Sequence, residues 1–171
     1  LNLIKFSKKK DSPIKIELIL SNNFKARGLE YSKKYNIKKK IYNFEKKNIS
    51  ENMILKDLKK KNIKLICLAG FMKILSKNFI KKYNGMILNI HPSLLPKYKG
   101  LNTHERVIKN EEKYSGCTVH FVNGELDSGK IIIQKKVKIL KSDNAKTLAK
   151  KILIEENKLY PKAINKVLFK T

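Results

Sequence analysis

The chain has no tryptophan, only two cysteines, four prolines and seven glycines, and 14 acidic residues against 40 basic ones. Each shortage excludes something. Two thiols, Cys67 and Cys117, are too few to staple a disulfide scaffold, and both lie in apolar stretches that read as buried and reduced, as expected in a cytoplasmic protein. Those cysteines and three histidines lack short ligand spacing, so no metal site is expected. No apolar run approaches the roughly 20 residues that span a bilayer, and no leader with an apolar core and a small-residue cleavage site is read, so no membrane association is expected.

Arginine is nearly absent as well, occurring only at Arg27 and Arg106. The formal charge of +26 is therefore carried by lysine. Clustered lysines neutralise phosphates, but base edges are commonly read by arginine's fork, and these lysines are scattered beside asparagine and isoleucine. That mixture also fits A/T-rich codons. No specific nucleic-acid partner is expected, although such a field attracts small phosphorylated and carboxylated substrates.

What is present is a globular pattern. At 171 residues, 42% of them apolar, the chain suits a single domain. Strand and helix signals alternate: strands over 14–20, 64–69, 85–91, 117–122 and 130–139, and helices over 25–35, 50–61 with Ser50 as cap, 77–83, 103–110 and 146–167, the last interrupted near Pro161. This order predicts an α/β fold, a Rossmann-like open sheet that is mainly parallel with an antiparallel C-terminal portion, flanked by helices.

The stretch Gly85-Met86-Ile87-Leu88-Asn89-Ile90-His91-Pro92 is apolar until its end and then offers two polar side chains two residues apart. Strand periodicity points both to one side, and Pro92 ends the ladder there. Ligands of open α/β sheets bind at such strand ends. Asn89 offers an amide N–H to a developing oxyanion, His91 can donate or accept, and Asp127 in Glu125-Leu126-Asp127-Ser128-Gly129 can accept a proton or orient the histidine. That trio suits attack by an amine on a carbonyl, with no side-chain nucleophile required. Taken singly, His91 reads equally as a loop hydrogen-bonding residue, Asn89 as a turn cap and Asp127 as a turn residue.

The run Asn89-Ile90-His91-Pro92-Ser93-Leu94-Leu95-Pro96, with Gly100-Leu101-Asn102-Thr103-His104, Gly116-Cys117-Thr118-Val119-His120-Phe121-Val122, Asp127, Gly129 and Ala69-Gly70-Phe71-Met72-Lys73-Ile74-Leu75-Ser76 in the same order, resembles the phosphoribosylglycinamide formyltransferases of purine synthesis. The resemblance runs through nearly the whole chain. It implies formyl transfer from 10-formyltetrahydrofolate, as cosubstrate, to the amine of glycinamide ribonucleotide, by a monomer or homodimer. Asn89, His91 and Asp127 match the family's catalytic residues, His120 its proton-network histidine, and His104 a loop histidine beside the centre. Phe71, Met72, Lys73, Ile74 and Leu75, with Leu88, Asn89 and Val122, match its folate-binding segments; Lys47 and Glu156 match its phosphate and ribose contacts.

Several departures accompany these matches. The family's first strand and glycine-rich phosphate loop precede the helix in which this chain opens, so the resemblance implies a domain incomplete at its N-terminus and short at its C-terminus. Asn102 stands where the family usually has histidine. Other 10-formyltetrahydrofolate enzymes, the hydrolase and the transferase acting on methionyl-tRNA, resemble the chain around the same three residues and remain the alternative, as does a non-catalytic relative.

Overall fold

The computed structural model describes residues 1–169. They form two compact units, one of residues 1–64 with 81–85, the other of residues 65–80 with the chain from 86 onward.

The first unit opens with α1 (Asn2–Ser7), then β1 (Leu18–Ser21), α2 (Glu30–Lys34), β2 (Lys38–Ile41) and α3 (Lys47–Lys60). β1 and β2 pair in parallel, Leu18 opposite Lys38 through Ser21 opposite Ile41. β2 is a strand that the sequence did not announce. Its residues, Lys38-Lys39-Lys40-Ile41, are all exposed and carry no alternation, so only pairing with β1 makes them a strand. α3 starts three residues before the expected cap. Ser50 lies inside the helix, where its hydroxyl donates to the Asn43 carbonyl at 2.6 Å, and Ser50, Ile54 and Leu58 form its buried stripe.

The second unit is built on a four-stranded sheet in the order β3 (Leu65–Leu68), β4 (Met86–His91), β5 (Tyr114–Phe121), β6 (Ile131–Lys138). β3 and β4 are parallel; β5 and β6 add antiparallel. α4 (Lys77–Lys82) lies between β3 and β4 in the chain, and α5 (Thr103–Lys109) between β4 and β5. With the parallel β1/β2 pair, this is the expected α/β architecture, parallel in its earlier part and antiparallel toward the C-terminus. β5 starts three residues earlier than expected, with Tyr114, Ser115 and Gly116 paired to β6. A side chain at Gly116 would collide with the Lys135 carbonyl of β6.

α6 (Ala145–Leu168) packs on β5 and β6. Asn144 caps it, accepting from the Lys146 and Thr147 N–H groups at 3.0 Å, while Thr147 returns the bond to the Asn144 N–H. The expected break at Pro161 is absent: the helix is continuous over 24 residues. A proline inside a helix costs about 3 kcal/mol. Leu159, Tyr160, Ala163 and Ile164 are all buried around it, and this packing outweighs the lost hydrogen bond.

Candidate active site

β4 delivers Asn89 and His91 to the same side at its C-terminal end, and β5 runs beside it in antiparallel register with His120 opposite Asn89 and Thr118 opposite His91. Asp127 comes from the loop between β5 and β6. That loop folds back so tightly that a Cβ at Gly129 would strike the Phe121 carbonyl, which explains the glycine. Asp127 itself takes a left-handed backbone conformation, φ 45°.

These residues converge. The Asp127 carboxylate lies 3.3 Å from His91 Nδ1 and 3.6 Å from His120 Nε2, and accepts from the Gly100 N–H at 2.9 Å. Its side chain is only 8% exposed. Burial opposes ionisation, but the His120 ring facing the carboxylate, the Gly100 N–H and the nearby His91 prevail, holding its pKa below the usual carboxylate value.

Hydrogen-bond partners fix the tautomers. His120 Nδ1 faces the Phe121 carbonyl at 2.8 Å and must donate there, which leaves Nε2 as acceptor for the Asn89 amide N–H at 3.3 Å in the neutral ring. Asn89 keeps a second N–H for the open side. His91 Nε2 faces the Tyr98 carbonyl at 2.8 Å and must likewise donate. Beneath the centre, the buried Thr118 hydroxyl donates to the Ser93 carbonyl at 2.7 Å and accepts from the Leu95 N–H and the Gln134 amide, tying the loop after Pro92 to the sheet.

The centre opens on a cavity of about 550 Å³. Asn89, His91 and Asp127 form part of its wall; Phe71, Met72, Lys73 and Ile74 form another part; the 100–105 segment, Leu126 and the start of α6 complete it. His104 lines it with a buried Nδ1 that has no partner among the described residues, and burial, with His91 nearby, lowers its pKa despite Glu105.

Not every expected residue reaches this cavity. Leu75 and Leu88 are buried, at 8% and 0% exposure, and do not line it. Leu88 is one residue before Asn89 in β4 and so points to the other face of the sheet, into the core; the family likeness alone had put it on the wall. Val122 holds the end of β5 through its N–H on the Ile87 carbonyl and is not on the wall either. Lys47 opens α3 in the first unit. Glu156 is half-buried on α6, away from the cavity lining, and burial alone raises its pKa to about 7. Sequence reasoning missed Thr118, the Tyr98 carbonyl, the Gly100 N–H and the α6 residues Ala145, Lys146 and Ala149. The two backbone groups carry no residue-type signal, and Thr118 reads as an ordinary strand residue.

The formyl transferase family model matches residues 2–164. A phosphoribosylglycinamide formyltransferase from Haemophilus influenzae is 42% identical over 159 residues, covering 90% of this chain and 74% of that protein. The trifunctional purine biosynthetic protein adenosine-3 of Homo sapiens is 36% identical over 168 residues, covering 96% of this chain, which spans only 17% of that much longer protein. The crystal structure of phosphoribosylglycinamide formyltransferase from Anaplasma phagocytophilum superposes with a TM-score of 0.90 at 40% identity, covering 99% of this chain and 82% of that one.

Proposed function

The chain belongs to the formyl transferase family, and within it to the phosphoribosylglycinamide formyltransferases, and we propose on that footing that it transfers the formyl group of 10-formyltetrahydrofolate to the amine of glycinamide ribonucleotide in purine synthesis. The observation that carries this reading is the convergence of Asn89, His91 and Asp127 at one cavity wall.

The folate supplies an electrophilic formyl carbon. As the amine nitrogen bonds to that carbon, negative charge grows on the formyl oxygen. The second N–H of Asn89 is the donor free to meet it, because the first is engaged by His120. Asp127, ionised by its neighbours, accepts the proton that the amine must lose, directly or through one water. The bond from the formyl carbon to the folate nitrogen then breaks, and that nitrogen takes up a proton. His91, with Nδ1 facing the Asp127 carboxylate and Nε2 donating to the Tyr98 carbonyl, holds the orientation of the carboxylate.

The cavity fits the folate. Its apolar lining at Phe71, Met72, Ile74, Leu101 and Leu126 suits a flat pterin, and the unpartnered His104 Nδ1 offers a directed polar contact. Lys47 as a phosphate contact and Glu156 as a ribose contact rest on the family likeness. Reaction in the cytoplasm, by a monomer or homodimer, belongs to the same proposal, and the two free cysteines suit a reducing compartment.

The test is formyl transfer measured with the chain and with its N89A, H91A and D127A variants, alongside release of formate without glycinamide ribonucleotide. Transfer that all three substitutions depress supports the proposal. Formate release without transfer overturns it in favour of the hydrolase.

A further inference from the structure

The segment 98–102 carries two backbone groups that grip the centre: the Tyr98 carbonyl on His91 Nε2 and the Gly100 N–H on Asp127. It does so in a costly conformation. Tyr98, Gly100 and Asn102 all have positive φ, at 57°, 78° and 56°. Positive φ at non-glycine residues is disfavoured by about 1 kcal/mol or more, so something outside the segment must hold it.

Arg106, on α5, supplies that hold. Its Nη1 donates to the Lys99 carbonyl at 2.7 Å and approaches the Leu101 carbonyl at 3.4 Å, the carbonyls of the residues before and after Gly100. Its guanidinium also sits 5.3 Å from the Tyr98 ring centroid. The Tyr98 hydroxyl is separately fixed by Glu112 and Asn110 at 2.9 Å. One guanidinium thus spans the stretch from Tyr98 to Leu101, and neither a lysine's point charge nor a neutral side chain reproduces that geometry.

We propose that Arg106 is a positioning residue for formyl transfer, a guanidinium strap that keeps the Tyr98 carbonyl on His91 and the Gly100 N–H on Asp127. This rests on the reading of the centre given above. Arg106 touches neither reacting group and is exposed, so its removal opens no core cavity. The strap acts through geometry, and small displacements of positioned groups cost rate more than affinity.

The experiment compares the wild-type chain with R106A and R106K in two ways. Turnover of R106A is expected to fall by about 10–100-fold with KM for both substrates little changed, to recover in part with added millimolar guanidinium, and to recover less in R106K. The acidic limb of kcat against pH should move upward, because Asp127, faced by His91, His120 and the Gly100 N–H, loses that donor. Independently, long-range proton–nitrogen NMR of the His91 ring, recorded without substrates, should show the Nε2–H environment altered in R106A. An unchanged ring spectrum, or wild-type kcat and pH profile in R106A, overturns the strap. Inactive wild-type protein whose ring spectrum responds to R106A overturns the reaction and leaves the strap standing.

Discussion

On one side of the cavity Asn89, His91 and Asp127 are each held by a named partner, and His91 at 5% exposure and the Asp127 side chain at 8% are nearly sealed. On the other, Met72 and Ile74 leave 72% and 59% of their surface exposed. The Asp127 carboxylate and the His91 ring are paired before any ligand arrives, because unpaired buried polar groups are expensive, while the second Asn89 N–H and His104 Nδ1 are left for the ligand. The apolar wall is exposed surface whose burial a flat ligand would complete. Chemistry is thereby assigned to the preorganised side and affinity to the unfinished one. Glu156 adds a contrast within the same unit: it is a carboxylate raised to about pH 7 by burial alone, whereas donors around Asp127 lower its pKa.

The largest effect expected from breaking this division is at Asp127. D127N should reduce kcat by about 10³–10⁴-fold with little change in KM, as removal of a proton acceptor does; an equal loss in KM would move Asp127 to the binding side. Its depressed folded pKa also carries a stability signature. The carboxylate stabilises the fold above its unfolded pKa, about 3.9, and that contribution is lost as pH falls through the lower folded value. Acid unfolding followed by circular dichroism should be less steeply pH-dependent in D127N than in wild type, the remainder coming from other carboxylates with lowered pKa values such as Asp57 and Asp143.

N89A comes next, with a fall in kcat of about 10²–10³-fold for one lost oxyanion donor, measured in steady-state formyl transfer. It also strips His120 Nε2 of its partner, so the His120 ring spectrum should shift.

E156Q sharpens the contrast between the two carboxylates. With a folded pKa near 7 against an ordinary 4.5, Glu156 is tolerated protonated and becomes destabilising as pH rises between those values. Gln mimics the protonated form. The variant should equal wild type below pH 4.5 and exceed it by about 3 kcal/mol above pH 7 in thermal or denaturant unfolding. Equal stability at pH 8 would show that Glu156 has a charge partner.

The smallest effect is expected on the unfinished wall. M72A and I74A should each raise KM for the folate by about 3–10-fold and leave kcat and melting temperature nearly unchanged, because these side chains contribute binding area and no core packing. A drop in kcat at either position would erase the distinction between the walls.

Much of this arrangement was legible in residue order. The apolar run ending in Asn89-Ile90-His91-Pro92 predicted a strand that ends in two polar groups on one side, and β4 does so. From residue 50 onward helices and strands fell close to the expected places, whereas the strand expected over 14–20 is only Leu18–Ser21 and the helix expected over 25–35 is only Glu30–Lys34 after a short 3-10 turn. β2 is a row of lysines made into a strand by β1, and Pro161 stays helical under the buried residues around it. Family likeness misplaced Leu75 and Leu88 relative to the cavity, since matching a segment does not say which of its side chains face outward.

The sequence by itself determined which chemical groups this protein has to work with and on which side of a strand Asn89 and His91 lie, because strand parity is set within two residues. The tertiary structure decided their state. His120 is brought to Asn89 from 31 positions away, Gly100 to Asp127 from 27, and the Tyr98 carbonyl closes on His91 through backbone that any residue could provide. Tautomers, carboxylate ionisation and the free N–H of Asn89 depend on distances between segments, and hydrogen bonds and fields that fall off over a few ångströms exist only once the chain has folded.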